Sequence, residues 1–295
     1  MFHLSENMRV RASGDPKLED YDNWTLSVGN GTTNDVNGLL HIPEDMFYRI
    51  KPNTSSDTKV EERSMIEFCK MVFPDFTNNF SNTQWLNGRS MLAPTNSEVD
   101  TLNDLIQTWI PGAGVQLASS DTLENYQDIM RFNIEYLNTL CPTGFPRHLL
   151  SLKPGMPIML LRNICPNEGL CNGTKLIYLR NLSNRLLECK VVSTGKIVLL
   201  PRIKLIPNPG TNCFDWARRQ FPIRTAFATT INKAQGQTLK RVGVWLRSPV
   251  FGHGQLYVAS SRTGNPDALK FAVKQQEGEP IGSTTNVVYN EVLLQ

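Results

Sequence analysis

No G-x-x-x-x-G-K-S/T segment occurs anywhere in the 295 residues. That pattern builds the loop whose backbone N–H groups cradle a nucleoside triphosphate, so this route to capturing ATP is not encoded. No run of about 18 apolar residues is present, so no membrane-spanning helix is expected. Six cysteines (69, 141, 165, 171, 189 and 213) include no C-x-x-C pair, and only four histidines accompany them. A zinc site is therefore not expected, and the thiols fit a reduced, intracellular setting. The opening residues, MFHLSENMRV, lack the charged-then-apolar order of a secretory signal. N-x-S/T triplets such as Asn30-Gly31-Thr32 are then polar loops rather than glycan sites.

What is present fits a folded globular chain: 40% of residues are hydrophobic and 19% charged. The length allows one large or two modest domains. The net charge of +3 conceals an asymmetry. From Ala12 to His148 there are 9 Lys and Arg against 19 Asp and Glu; from Leu149 to Arg247 there are 16 against 3. A basic block beside an acidic one suits a polyanion such as nucleic acid, and equally a solvated face with no partner.

The first half alternates helical and strand signals. Helices are expected around Leu18–Val28 and Arg63–Val72, the second stopped by Pro74-Asp75. Arg89–Ala93 has strand character, and Thr95 with Glu98 three residues on is a capping box opening a helix. Val99, Leu102, Ile106, Trp109 and Ile110 recur at helical spacing until Pro111-Gly112. A strand over Val115–Ser119 would follow, then a helix over Phe132–Leu140. Strand, polar turn and helix make half a βαβ unit, which predicts a parallel sheet. From Leu149 to Ile206 the texture changes to short β-runs. Leu187, Cys189 and Val191 alternate with Glu188, Lys190 and Val192, and Thr194-Gly195 makes a tight turn. Such a run suggests a small inserted barrel. Beyond Asn212 come expected strands Thr225–Thr229 and Val242–Leu246 and a helix over Gly254–Ser261; the Gly/Glu/Gln/Ser-rich segment after Lys274 reads as a flexible tail.

Two polar motifs lie between Phe221 and Arg262: TTINKAQGQT (229–238) and GQLYVASSR (254–262). Ligands of parallel sheets collect at the carboxyl ends of strands. The first motif places Thr230, Asn232, Lys233, Gln235, Gln237 and Thr238 just after a strand, with Gly236 allowing close backbone approach. In the second, Leu256, Val258 and Ala259 can pack while Gln255 and Arg262 project elsewhere. The planar guanidinium of Arg262 suits a terminal phosphate, and it suits equally the carboxyl-end carbonyls of its own helix. In MLAPTN, Thr95 and Asn96 stand at a helix start able to hold a phosphate. In LSENMR, Arg9 follows a strand-like segment and is otherwise a surface arginine.

In order along the chain, LSENMRV, MLAPTNSEVDTLN, LKPGMPIMLLRNI, GLCNGT, FPIRTAFATTINKAQGQTL and GHGQLYVASSR resemble the PIF-one family of superfamily I DNA helicases, which move 5′ to 3′ and include the helicase regions of Helitron transposons. The resemblance covers about residues 1–272. It implies an α/β fold: a RecA-like second motor domain, with a parallel sheet and flanking helices, over 1–148 and 211–275. It also implies an inserted small SH3-like β-barrel over 149–210, leaving 276–295 as the flexible tail. By position it makes Arg9 and Arg262 arginine fingers and Gln235 and Gly236 the coupling loop near the γ-phosphate. Thr95, Asn96, Thr230, Lys233 and His253 would hold single-stranded DNA. No metal ligand is implied. ATP and Mg²⁺ would belong to the complete enzyme, held mainly by a preceding N-terminal RecA-like domain, and the chain alone would hold neither. The family's work in DNA repair, recombination and telomere maintenance implies a nuclear location. The basic inserted segment, with 9 Lys and Arg against 2 Asp and Glu over 149–210, would guide single strands. With the Walker segments absent, the alternative is a non-catalytic single-stranded nucleic-acid-binding remnant of a transposon helicase, or a truncated gene product. The family's alanine-leucine-serine-arginine ending is here Ala259-Ser260-Ser261-Arg262, a polar change at a packing position.

Overall fold

A computed structural model describes residues 16–53, 57–123, 131–207, 214–289 and 291. The described residues divide into two compact units. One takes those up to Asn79, then Gln84–Ile106 and everything from Phe227; the other takes Phe80–Thr83 and Gln107–Ala226.

The chain enters the first unit through α1 (Pro16–Asn30), β1 (Leu39–His41), β2 (Phe47–Ile50) and α2 (Val60–Val72). The helix α2 buries Phe68, Cys69 and Val72 on one stripe. Two short helices, α3 (Phe76–Asn79) and α4 (Thr83–Asn87), lead to β3 (Arg89–Ala93), which has the expected bounds. Helix α5 (Asn96–Thr108) follows directly and buries Val99, Leu102 and Ile106, the spacing read from the sequence.

In the second unit the chain forms β4 (Val115–Ala118), β5 (Ser120–Leu123), α6 (Ile134–Thr139), β6 (Leu149–Leu152), β7 (Pro157–Leu160), β8 (Lys175–Ser183), β9 (Leu186–Val191), β10 (Ile197–Pro201), β11 (Ile203–Leu205), β12 (Trp216–Gln220) and β13 (Ile223–Thr225). Five of these make an antiparallel sheet in the order β10-β9-β8-β7-β13. Its buried face carries Ile158, Leu160, Leu176, Tyr178, Leu187, Cys189, Val191, Val198, Leu200 and Ile223. Alternation along β9 and β10 turns every second side chain inward, as the sequence predicts. Gly195 sits at φ +72° in the turn between them, a conformation that glycine adopts without a Cβ penalty. The unit is wider than the segment 149–210. Strand β4 pairs antiparallel with β6, and β12 pairs with both β11 and β5.

Back in the first unit are β14 (Ala228–Thr230), β15 (Arg241–Leu246), α7 (Gln255–Ser260), β16 (Leu269–Lys274) and β17 (Ser283–Thr285). The parallel sheet runs β14-β3-β15-β16-β2. The expected βαβ partner of β3 is therefore not the strand after α5, which belongs to the antiparallel unit; its neighbours β14 and β15 lie beyond the insertion. The expected strand Thr225–Thr229 is two strands, β13 in the antiparallel sheet and β14 in the parallel one. Strand β15 is buried from Val242 to Leu246, the continuous apolar run of a strand covered on both faces. At Gly243 a Cβ would overlap Val72 and press on Phe68, so glycine there lets α2 lie close on the sheet. Asn103 on α5 covers the sheet edge at β14: its Oδ1 accepts from the amides of Phe227 and Ala228, and its Nδ2 donates to the Ala228 carbonyl.

The segment 276–295, expected as a flexible tail, is corrected by the structure over its described residues. Strand β17 pairs antiparallel with β1, and Ser283, Thr284 and Asn286 are buried. Composition misleads here because polar side chains were read as solvated, whereas the backbone ladder and the Asn286 amide use them as hydrogen-bonding groups.

One ion pair of the second unit is fully enclosed. Arg218 on β12 and Asp121 on β5 have no exposed side-chain surface, with Nη2 to Oδ2 at 2.6 Å. The guanidinium also donates to the carbonyls of Leu137, Leu140 and Pro146. Removing one partner of such a pair strands the other charge, so Asp121→Ala should lower unfolding stability by about 3–5 kcal/mol, read from urea denaturation. Lys175 on β8 has its ammonium desolvated, and burial pushes its pKa down to about 8. The unfolded chain holds that proton up to about 10.4. Between these values this site binds more protons in the unfolded state, so the contribution of Lys175 to stability rises with pH through the window, against the opposite slope of the buried Cys69 and Cys189 thiols, which burial pushes up. In Lys175→Met that rise should be missing from denaturation curves measured across the same range.

Candidate functional site

The polar motifs meet at the carboxyl ends of β3 and β14. These strands pair in parallel with Thr230 opposite Ala93, so the turns that follow them leave the sheet side by side. After β3, Thr95 caps α5. Its Oγ1 accepts from the Glu98 amide at 3.3 Å and donates to Glu98 Oε2 at 2.8 Å, while the Thr95 amide donates back to Oε2. This is the capping box expected from the sequence. Glu98 also accepts from the amide of Ser248 through Oε1, joining the end of β15 to the same cap. Asn96 is exposed at the first position of the helix.

After β14 the amide of Ile231 donates to the Ala93 carbonyl at 3.1 Å, and a short 3-10 turn covers Asn232–Ala234. Thr230 is half-buried; Lys233, Gln235 and Gly236 are exposed. Gly236 has φ +80°, and nothing lies within 4 Å of where its Cβ would be, so this backbone faces open space. Beside it the Gln237 Oε1 is buried without a partner.

Arg262 holds this turn. Its Nη1 donates to the carbonyls of Ala234 and Gln237, both at 3.1 Å, on either side of Gln235 and Gly236. Its Nε donates to the Val258 carbonyl at 2.6 Å and Nη2 to Ser261 Oγ at 2.7 Å. Of the two roles read from the sequence, pairing with the carboxyl end of its own helix is present through Val258, and Nη1 bonds the turn after β14. Gln255, expected to project away, is instead only 3% exposed and ties the other end of α7. Its Oε1 accepts from the amides of Phe251 and Gly252, and its Nε2 donates to Asn232 Oδ1 at 3.3 Å. A lone amide in the first turn of a largely apolar helix is the sequence signal for this buried role. Ser260 is wholly buried, and its hydroxyl donates to the Leu256 carbonyl, so the polar change at this packing position is satisfied within the helix.

His253 lies in the loop before α7. Its Nδ1 accepts from the Tyr289 amide at 3.0 Å and its ring stacks on Tyr289. The structure therefore brings together Thr95, Asn96, Thr230, Lys233, Gln235, Gly236 and Arg262, and sets His253 on the adjoining loop of the same unit. Arg9 lies outside the described residues. Among the described residues no three His, Cys, Asp or Glu side chains come together in a metal-holding group, and no helix is long and apolar enough to cross a membrane.

Residues 135–180 match the family model described as the 2B domain of the DNA helicase Pif1. The chain is 32% identical to the human ATP-dependent DNA helicase PIF1 over 152 residues, which is 48% of this chain and 22% of the human protein. It thus spans about a fifth of the length of such curated relatives. In fold it is similar to the Pif1 helicase of Candida albicans, with a TM-score of 0.56 at 20% identity over 96% of this chain and 58% of that one. It is similar also to a Bacteroides Pif1 solved in complex with ADP-AlF3 and ssDNA, with a TM-score of 0.50 at 16% identity over 78% of this chain and 52% of that one.

Proposed function

We propose that this chain, which is similar to part of the Pif1-family DNA helicases, forms the half of such a motor that grips single-stranded DNA and senses the terminal phosphate of ATP. What supports this is one piece of geometry: the Thr95 cap, the Thr230–Lys233 turn and the Gln235–Gly236 backbone leave adjacent parallel strands at one edge, with Arg262 bonded to the last of them. Amides, hydroxyls and an ammonium at strand ends are the donors a phosphodiester backbone requires, and they read no base sequence.

The residues present fit one end of a nucleotide. Gln235 and the open backbone at Gly236 stand where an anionic oxygen can approach, and Arg262 is one guanidinium away. ATP, bound by a preceding RecA-like domain, supplies the free energy of phosphoryl transfer. Gln235 and Arg262 would meet its terminal phosphate, with Arg9 as the second arginine, and Mg²⁺ would be held by that other domain. In this chain the guanidinium spends its donors on loop carbonyls. Any shift of Arg262 towards a phosphate must release Ala234 and Gln237, and this loosens the turn that carries Lys233. Nucleotide state and strand grip are coupled through those two carbonyls. Movement is 5′ to 3′, in the nucleus, in the manner of Helitron-type and related helicases.

Oligonucleotide binding should weaken with salt, and Lys233→Gln should lower the slope of log K against log salt by about 0.7, as for one single-strand phosphate contact. An unchanged slope in a fluorescence-anisotropy titration would remove Lys233 from the strand path. In an enzyme completed with its nucleotide-binding domain, Arg262→Ala should cut ATP turnover by about 10³ or more, while oligonucleotide affinity, weakened through the loosened turn, falls no further than in Lys233→Gln. Turnover within a few-fold of wild type would reject the arginine as a phosphate sensor.

A further inference from the structure

The segment beyond β17 is strapped onto the loop that precedes α7. Asn286 anchors it: its amide donates to the Gly38 carbonyl, and its Nδ2 donates to the Val28 carbonyl at 2.8 Å and to Asn34 Oδ1 at 2.9 Å. One residue on, the Val287 carbonyl accepts from the Gly254 amide at 3.1 Å. At Tyr289 the backbone amide donates to His253 Nδ1 at 3.0 Å. The Tyr289 ring lies over the imidazole, with centroids 5.5 Å apart and planes 14° apart.

A neutral imidazole has one donor nitrogen and one acceptor. A backbone N–H can only donate, so Nδ1 must be the bare nitrogen and the ring proton sits on Nε2. Among the described residues no acceptor pairs with Nε2. We propose that the 286–289 strap is a positioning device: the Tyr289 amide holds His253 in the Nε2–H tautomer, and the Tyr289 ring fixes the plane of the imidazole. His253 is thereby a directed donor for a phosphodiester oxygen of single-stranded DNA. This rests on His253 lying on the strand path. A histidine without the strap would divide its proton between both nitrogens and would face the strand as a donor only part of the time. Tyr289 touches no strand itself; it acts through His253.

The tautomer can be measured without DNA. In the whole chain, labelled with ¹⁵N at its four histidines, long-range ¹H–¹⁵N correlation at mildly alkaline pH should show His253 with Nδ1 unprotonated and Nε2 protonated. A tautomer mixture there, or a proton on Nδ1, overturns the proposal. Tyr289→Pro deletes the donating amide and should give a mixture, while Tyr289→Phe keeps amide and ring and should match wild type. Affinity for a single-stranded oligonucleotide should fall about tenfold in His253→Ala, as for one lost charge-assisted hydrogen bond, and in Tyr289→Pro only by the reciprocal of the Nε2–H fraction that remains, about twofold for an even mixture. It should fall no further in the double variant Tyr289→Pro/His253→Ala than in His253→Ala. Loss of affinity in Tyr289→Pro with the tautomer unchanged would also overturn the proposal. If the tautomer shifts as stated but His253→Ala binds DNA normally, the tautomer control stands and His253 is off the strand path.

Discussion

The geometry of the edge where β3 and β14 end depends on how a two-turn helix is held. Helix α7 has only six residues, too few to be stable by its own hydrogen bonds. Apolar burial of Leu256 and Ala259 sets its depth. Its direction and register are set by polar side chains at both ends, Gln255 to Asn232 and Arg262 to the carbonyls of Ala234 and Gln237. The turn after β14 leaves carbonyls that need donors, and the helix supplies them. The two polar motifs are therefore one structural object, although 24 positions separate Thr230 from Gly254.

Similar polar bonding at depth recurs elsewhere. Asn103 closes the edge of β14 with three bonds from one amide. Gln220 donates to the carbonyls of Leu117 and His148 and accepts from the Phe221 amide. Arg218 serves Asp121 and three carbonyls at once. Asn103 and Gln220 bond the backbone where strands stop or switch sheets, and Arg218 does so where α6 ends. An insertion between α5 and β14 leaves such loose ends, and long planar side chains bond several backbone groups from a single position.

Much of this was legible in the residues. The alternation in β9 and β10, the apolar run of β15, and the Thr95–Glu98 cap are local patterns whose period or spacing names the element. Motif order placed Gln235, Gly236 and Arg262 in one neighbourhood. Less legible were β2, β12, β16 and β17. They are short or carry charge, as Trp216–Gln220 does with two arginines, and a strand bearing a buried Arg218 has no apolar signature. The buried roles of Gln255 and Asn286 were hidden for the same reason: both are polar residues whose partners lie far away in the chain.

By itself, then, the amino-acid order determined the strongly periodic helices and strands, which loops cluster hydrogen-bonding groups, and that a β-rich basic segment interrupts an α/β frame. These follow from local periodicity, turn chemistry and charge, which need no knowledge of distant residues. Only the tertiary structure decided that β3 takes its partners from beyond the insertion, that Arg262 is bonded to the loop it was expected to work beside, and that Tyr289 returns to fix His253. Those are pairings between groups tens to hundreds of residues apart. Their energies depend on which donor meets which acceptor after the chain has closed on itself, and no local pattern encodes that meeting.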